Sequence, residues 1–123
     1  MTPAIVDPYL KIQEALASDR VDGVRANAGD LATAATALGA PAMKIDTSAV
    51  QLASAADLAD ARAKFGVLSE AIDTYMTGMK LNPPEGVRVA FCPMVSKPWM
   101  QQDGSLRNPY YGSQMLTCGS FRN

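Results

Sequence analysis

The chain has 123 residues, 48% of them hydrophobic and 19% charged, which suits one globular domain with a continuous core and argues against a disordered segment. Eleven basic residues against 12 acidic ones leave a net charge of −1 with no block of one sign. The basic patch that nucleic acid or an anionic membrane surface requires is therefore missing. Histidine is absent too, which removes imidazole general bases, the triads built on them and most zinc sites.

In chain order, Pro8 is expected to open a first helix, with Tyr9, Ile12 and Leu16 on its buried face and Ser18-Asp19 as its stop. A second helix is expected over 20–38, carrying Val21, Val24, Ala28, Leu31, Ala35 and Leu38 inward. Gly39 and Pro41 end it. Thr47 or Ser48 should cap a short third helix through Val50 and Leu52. Ser54-Ala-Ala-Asp57 then matches a capping box. Leu58, Ala61, Phe65, Leu68, Ile72, Met76 and Met79 repeat at intervals of three and four, the pattern of a long fourth helix ended by Gly78 and Asn82-Pro83-Pro84.

Composition changes at Pro83. Residues 83–123 hold five of the eight prolines, both cysteines and the only tryptophan. Val87, Val89 and Phe91 alternate with Arg88 and Ala90, which predicts one short strand, and Asp103-Gly104 and Asn108-Pro109 are turn signals. The pattern predicts a mainly α single domain over 1–123. Residues 1–82 form an antiparallel bundle of three to four helices, and 83–123 form an irregular C-terminal cap containing a short strand or hairpin. Few helical residues and many prolines predict a cap with little local stability, held by a metal or a disulfide. No stretch approaches the roughly 20 apolar residues of a membrane span. The opening Met-Thr-Pro-Ala-Ile-Val-Asp lacks the basic and apolar regions of a signal peptide.

Chemistry concentrates in two short elements of the cap. In Phe91-Cys92-Pro93-Met94, an extended backbone puts Cys92 and Met94 on one side, and Pro93 keeps Cys92 out of the helical region. In Gly112-Ser113-Gln114-Met115-Leu116-Thr117-Cys118-Gly119, one turn of helix capped by Ser113 would put Met115 and Cys118 on one face. Together they offer two thiols and two thioethers. That set suits Cu(I), whereas zinc rarely takes thioether, iron–sulfur clusters usually need four cysteines, and calcium and magnesium want oxygen. Trp99 could shield the site or stack over the cation. The structural alternative has a Cys92–Cys118 disulfide, closing a loop of about 25 residues that stabilises by roughly 3 kcal/mol. In it Met94 and Met115 fill the core and Trp99 anchors packing. An enzyme is disfavoured, because without histidine its chemistry would rest on a reactive cysteine or on carboxylates, and no carboxylate pair sits near the cysteines except Asp103 at a turn.

Cys92-Pro93-Met94, Trp99, Arg107-Asn108-Pro109-Tyr110-Tyr111-Gly112 and Met115-Leu116-x-Cys118-Gly119 resemble the signature of domain of unknown function 3347. Arg62 with Phe65, Leu68 and Ser69 resembles that family's Arg-x-x-Phe-x-x-Leu-Ser stretch. Lys97-Pro98 departs from it, since members often have a glycine or aromatic before the tryptophan. Such domains occur as stand-alone exported proteins and on CusB-like adaptors of heavy-metal efflux systems. The resemblance implies periplasmic or exported copper or heavy-metal handling of a metallochaperone-like kind. Partners would be a metal ion and an efflux-system component or other metalloprotein. By position, Cys92, Met94, Met115 and Cys118 match as ligands, with Trp99 and Asn108 as support.

Overall fold

The computed structural model describes residues 1–122. Helix α1 spans Pro3–Ala17, opening at Pro3 rather than Pro8. Thr2 caps it by accepting from the Ala4 N–H, and Pro3 takes the first helical position, where a missing N–H costs nothing. Pro8 lies inside the helix, its fixed φ already helical. Helix α2 spans Val24–Leu38. Residues 19–23 form a tight turn instead of its first turn, because Asp19 (φ 59°) and Gly23 (φ 76°) adopt left-handed backbone.

A 3-10 turn at Ala40–Ala42 leads directly into α3, Met43–Leu52. Thr47 and Ser48 are not its caps. They sit mid-helix, and their hydroxyls donate one turn back to the Met43 and Lys44 carbonyls at 3.0 and 2.6 Å. Helix α4 spans Leu58–Gly78. Its cap is Asp57 rather than Ser54: the Asp57 carboxylate accepts from the Asp60 N–H at 2.8 Å, and Asp60 reaches back to the Ala56 N–H at 2.8 Å. The expected box at Ser54–Asp57 does not form; Asp57 and Asp60 cap the helix instead, the second bond going to the residue before the cap.

The C-terminal third departs furthest from expectation. Strand β1, Val87–Cys92, pairs antiparallel with β2, Lys97–Gln102, and with the two-residue β3, Ser120–Phe121, in the order β2-β1-β3. Helices make up 55% of the chain and this sheet 11%, so the fold is mixed α and β rather than a helical bundle with an irregular cap. Strand β2 escapes sequence reading because Lys97-Pro98-Trp99-Met100-Gln101-Gln102 does not alternate and contains proline. Pro98 is tolerated because β2 is an edge strand and position 98 faces away from β1. The flanking outward groups are covered by two tyrosines, one from the cap and one from α1. The Tyr110 hydroxyl donates to the Pro98 carbonyl at 2.5 Å, and the Met100 N–H donates to the Tyr9 hydroxyl at 3.1 Å.

The core runs from Ile5, Ile12 and Leu16 through Leu31, Ile45 and Leu52 to Phe65, Leu68 and Ile72. Successive helices pack on one another, and the sheet joins α1 and α4 mainly through β2. An aromatic chain links the two halves. Tyr9 stacks on Phe65 at 4.8 Å, Phe65 meets Tyr110 at 6.0 Å, and Tyr110 meets Trp99 edge-on at 6.2 Å. Among the described residues no helix is long and apolar enough to cross a membrane.

Candidate metal centre at the end of the sheet

Cys92 is the last residue of β1 and is wholly buried. It shares a sheet face with Ala90 and with Trp99, which pairs opposite Ala90. Trp99 is also buried, and its indole N–H donates to Gln101 Oε1 at 3.0 Å. Tyr110 closes this side. Burial holds its hydroxyl well above the usual tyrosine range, with Tyr9 and, to a smaller degree, Cys92 adding to the effect. Cys92 therefore sits in an aromatic, water-excluded corner.

Cys118 arrives from the opposite direction. Strand β3 sets Ser120 opposite Phe91, and Gly119 lies against the Phe91 carbonyl and the Trp99 ring: a Cβ built on Gly119 would be 2.7 Å from the former and 2.9 Å from the latter. Cys118 and Cys92 are the chain neighbours of this touching pair. Topology thus brings the backbone at the two cysteines to one end of the sheet; the same register sets Cys118 opposite Pro93, on the face away from Cys92, and both are free thiols, Cys118 partly exposed.

The supporting residues have defined positions. Asn108 is wholly buried and donates from Nδ2 to the Cys118 carbonyl at 2.8 Å, while its Oδ1 accepts from the Tyr110 and Tyr111 N–H groups at 2.7 and 3.3 Å. Its own N–H donates to the Leu116 carbonyl at 2.7 Å. One side chain therefore fixes the course of the 108–118 loop. Trp99 is a packing floor beneath Gly119, and its N–H is committed within the sheet.

The thioethers are placed less tightly. Met115 is half-buried at the end of a 3-10 turn, Gly112–Gln114, and its carbonyl accepts from the Cys118 N–H at 3.0 Å. The expected helical turn is thus replaced by a 3-10 turn and a reverse turn that still join Met115 to Cys118. Met94 lies in the 93–96 turn between β1 and β2 and is 62% exposed, so its sulfur faces solvent rather than the buried corner. Among the described residues no group of three or more cysteines and carboxylates is placed to hold a metal. A site here would rest on two thiols and neighbouring thioethers, a donor set that fits a soft monovalent ion.

Two features had no role assigned from the sequence. Arg62 on α4 binds the cap directly, donating from Nε to the Pro109 carbonyl at 2.9 Å and from Nη2 to the Leu16 carbonyl and Asp19, both at 2.8 Å. Ser69, one turn beyond Phe65, shares a 2.7 Å hydrogen bond with the Tyr9 hydroxyl. Arg62 and Phe65 therefore fasten α4 to the cap, and Ser69 fastens it to α1. The second feature is a cleft of about 740 Å³ between α1 and the 101–107 loop, bordered by Lys11, Glu14, Arg20 and Arg107 and reaching Leu116 and Thr117. Nothing in local sequence signals it, because its walls come from segments about 90 residues apart.

Against known proteins, the chain matches no family model, no curated protein and no solved structure.

Proposed function

We propose that this protein binds a soft metal ion, with Cu(I) the best fit, and serves metal handling or efflux outside the cytoplasm. Cys92 and Cys118 are the principal ligands, Met115 a further donor and Met94 the weakest. The observation carrying this reading is that the backbone at two free cysteines meets at one end of the sheet, with Met115 half-buried one turn before Cys118, in a chain without histidine. Cys92 lies out of contact with water, so a thiolate there needs a cation to offset its burial, and Cu(I) supplies it. The similarity of the 92–119 segment to domain of unknown function 3347 points the same way and suggests an efflux component or another metalloprotein as partner. The role is binding and transfer rather than catalysis.

Competition for Cu(I) against a selective chelator under reducing conditions tests this. Cys92→Ser or Cys118→Ser should weaken binding by about a hundredfold or more, roughly 2.7 kcal/mol. Met115→Leu should cost about tenfold and Met94→Leu less. Met43→Leu, at a solvent-exposed methionine on α3, should cost nothing. A double cysteine variant that holds Cu(I) as tightly as the parent would overturn the proposal.

A further inference from the structure

We propose that the cleft between α1 and the 101–107 loop binds a free oligopeptide of about three residues, held through its main chain and its two charged ends. The inference stands on the cleft and is independent of the copper reading.

At about 740 Å³ the cleft has the size of a small-ligand site. Its α1 wall runs from Asp7 to Glu14, a length of about 10 Å at the helical rise. An extended chain of about three residues covers that length. The facing wall is already fixed. The buried Gln101 accepts from the Arg107 N–H at 2.8 Å and donates to the Ser105 carbonyl at 2.8 Å. The Asp103 N–H donates to the Gly86 carbonyl at 2.8 Å, and Arg107 is clamped on Glu14 and Ser18. A preformed cleft loses little freedom when a ligand enters.

The polar groups left over are those that a peptide pairs with. Gln13 is only 3% exposed, and its Nε2 donates to the Arg107 carbonyl at 2.8 Å. Its Oε1 has no donor among the described residues. No sealed side-chain oxygen among those residues lacks a partner, so Oε1 opens to the cleft that Gln13 lines. Leu106 also borders the cleft, and among the described residues neither its N–H nor its carbonyl is paired. A peptide main chain therefore finds two acceptors and one donor. The half-buried Leu10, Leu106 and Leu116 supply apolar surface for small side chains. Asp7 and Lys11 on α1, and Arg20 and Asp22 in the turn after it, are exposed, and among the described residues their side chains form no ion pair or hydrogen bond. Each of these two segments thus offers one free charge of either sign. That balance suits a zwitterion and disfavours a polyanion or a polycation. No aromatic ring lines the cleft among the described residues, so a base has nothing to stack on.

The test is an NMR titration of the isotopically labelled full chain. One probe is trialanine, and the other is trialanine acetylated at its N-terminus and amidated at its C-terminus. Trialanine should shift the Gln13 side-chain amide and the Leu106 and Arg107 N–H signals, while Met43 on α3 and Val67 on α4 stay in place. The capped peptide should bind about tenfold more weakly. Lys11→Ala combined with Arg20→Ala, at two exposed positions, should close that gap by weakening trialanine alone. Absence of shifts, or shifts that extend to Met43 and Val67, overturns the site. A capped peptide that binds as tightly as trialanine overturns the free oligopeptide in favour of an internal segment of a protein chain. Succinate or putrescine binding as tightly as trialanine overturns the peptide in favour of simple charge pairing. A double variant that weakens both peptides equally overturns the role given to the charged ends.

Discussion

A Cβ on Gly119 would meet the Phe91 carbonyl oxygen at 2.7 Å and the Trp99 ring at 2.9 Å, and its φ is +126°, where side chains are rarely tolerated. Neither obstacle is a flexible side-chain tip. Gly119→Ala should therefore cost at least about 2 kcal/mol of stability, read as a lower urea midpoint. A change under about 0.5 kcal/mol would show that the β3 segment is not seated on Trp99 as described. Asn108 makes the same point through hydrogen bonds. Its buried amide serves three backbone groups around the 108–118 loop. Asn108→Ala would leave those groups unpaired, a loss of about 2–4 kcal/mol, measured by the same unfolding curve. Both residues hold the backbone beside Cys118, so both variants should also weaken Cu(I) binding.

At the scale of elements, the turn after α1 is locked to the cap through Asp19, whose carboxylate accepts from the Ser113 N–H and from Arg62. The Ser113 hydroxyl first, and Arg62 second, hold this carboxyl below the usual aspartate range. The folded value lies below the unfolded one of about 4. The contribution is therefore complete above that unfolded value and disappears as pH falls through the folded one. Asp19→Asn should lower the urea midpoint at neutral pH, and the gap from the parent should close on acidification below about pH 4. A gap that stays constant down to acid pH would mean that the charge is irrelevant there. The joint between helices and sheet is tested at Tyr9, whose buried hydroxyl receives the Met100 N–H and pairs with Ser69. Tyr9→Phe should cost about 1–3 kcal/mol, because it strands the buried edge of β2. Calorimetry showing an unchanged melting temperature would refute this account of the joint.

For the whole molecule, the cap is tied to the helices by contacts that involve no metal. Gln13, Arg62 and Arg107 tie it to α1 and α4, and Arg122 forms a two-pronged ion pair with Asp73 on α4. Arg107 meets Glu14 in the same two-pronged way, adding Ser18. The surface pairs contribute little singly, but the buried bonds from Gln13 and Arg62 to backbone carbonyls bind segments tens of residues apart. The reduced, metal-free protein should therefore unfold in one cooperative step. Cu(I) should add only its mass-action shift, roughly 2.7 kcal/mol at a hundredfold excess over Kd. Loss of near-ultraviolet dichroism from Trp99 well before helix melting in the metal-free protein would contradict this. It would restore the expectation that a metal or disulfide is what holds the cap.

The existence of all four helices and the buried positions of Tyr9, Ile12, Leu31, Phe65, Leu68 and Ile72 could be read from the sequence, because helical burial repeats every three to four residues and needs only local order. The strand at 87–91 was readable for the same reason, at a period of two. Its partners were not. Lys97–Gln102 is a strand because Tyr9 and Tyr110 cover an edge that contains proline, and Ser120–Phe121 is one because β1 was waiting for it; both facts come from residues far away in the chain. The candidate site divides along the same line. The choice of donors by their chemistry followed from Cys92, Met94, Met115 and Cys118 as residue types. That Cys92 is sealed, Cys118 partly open and Met94 turned to solvent was decided by a register of pairing between strands nearly 30 residues apart, which no local pattern encodes.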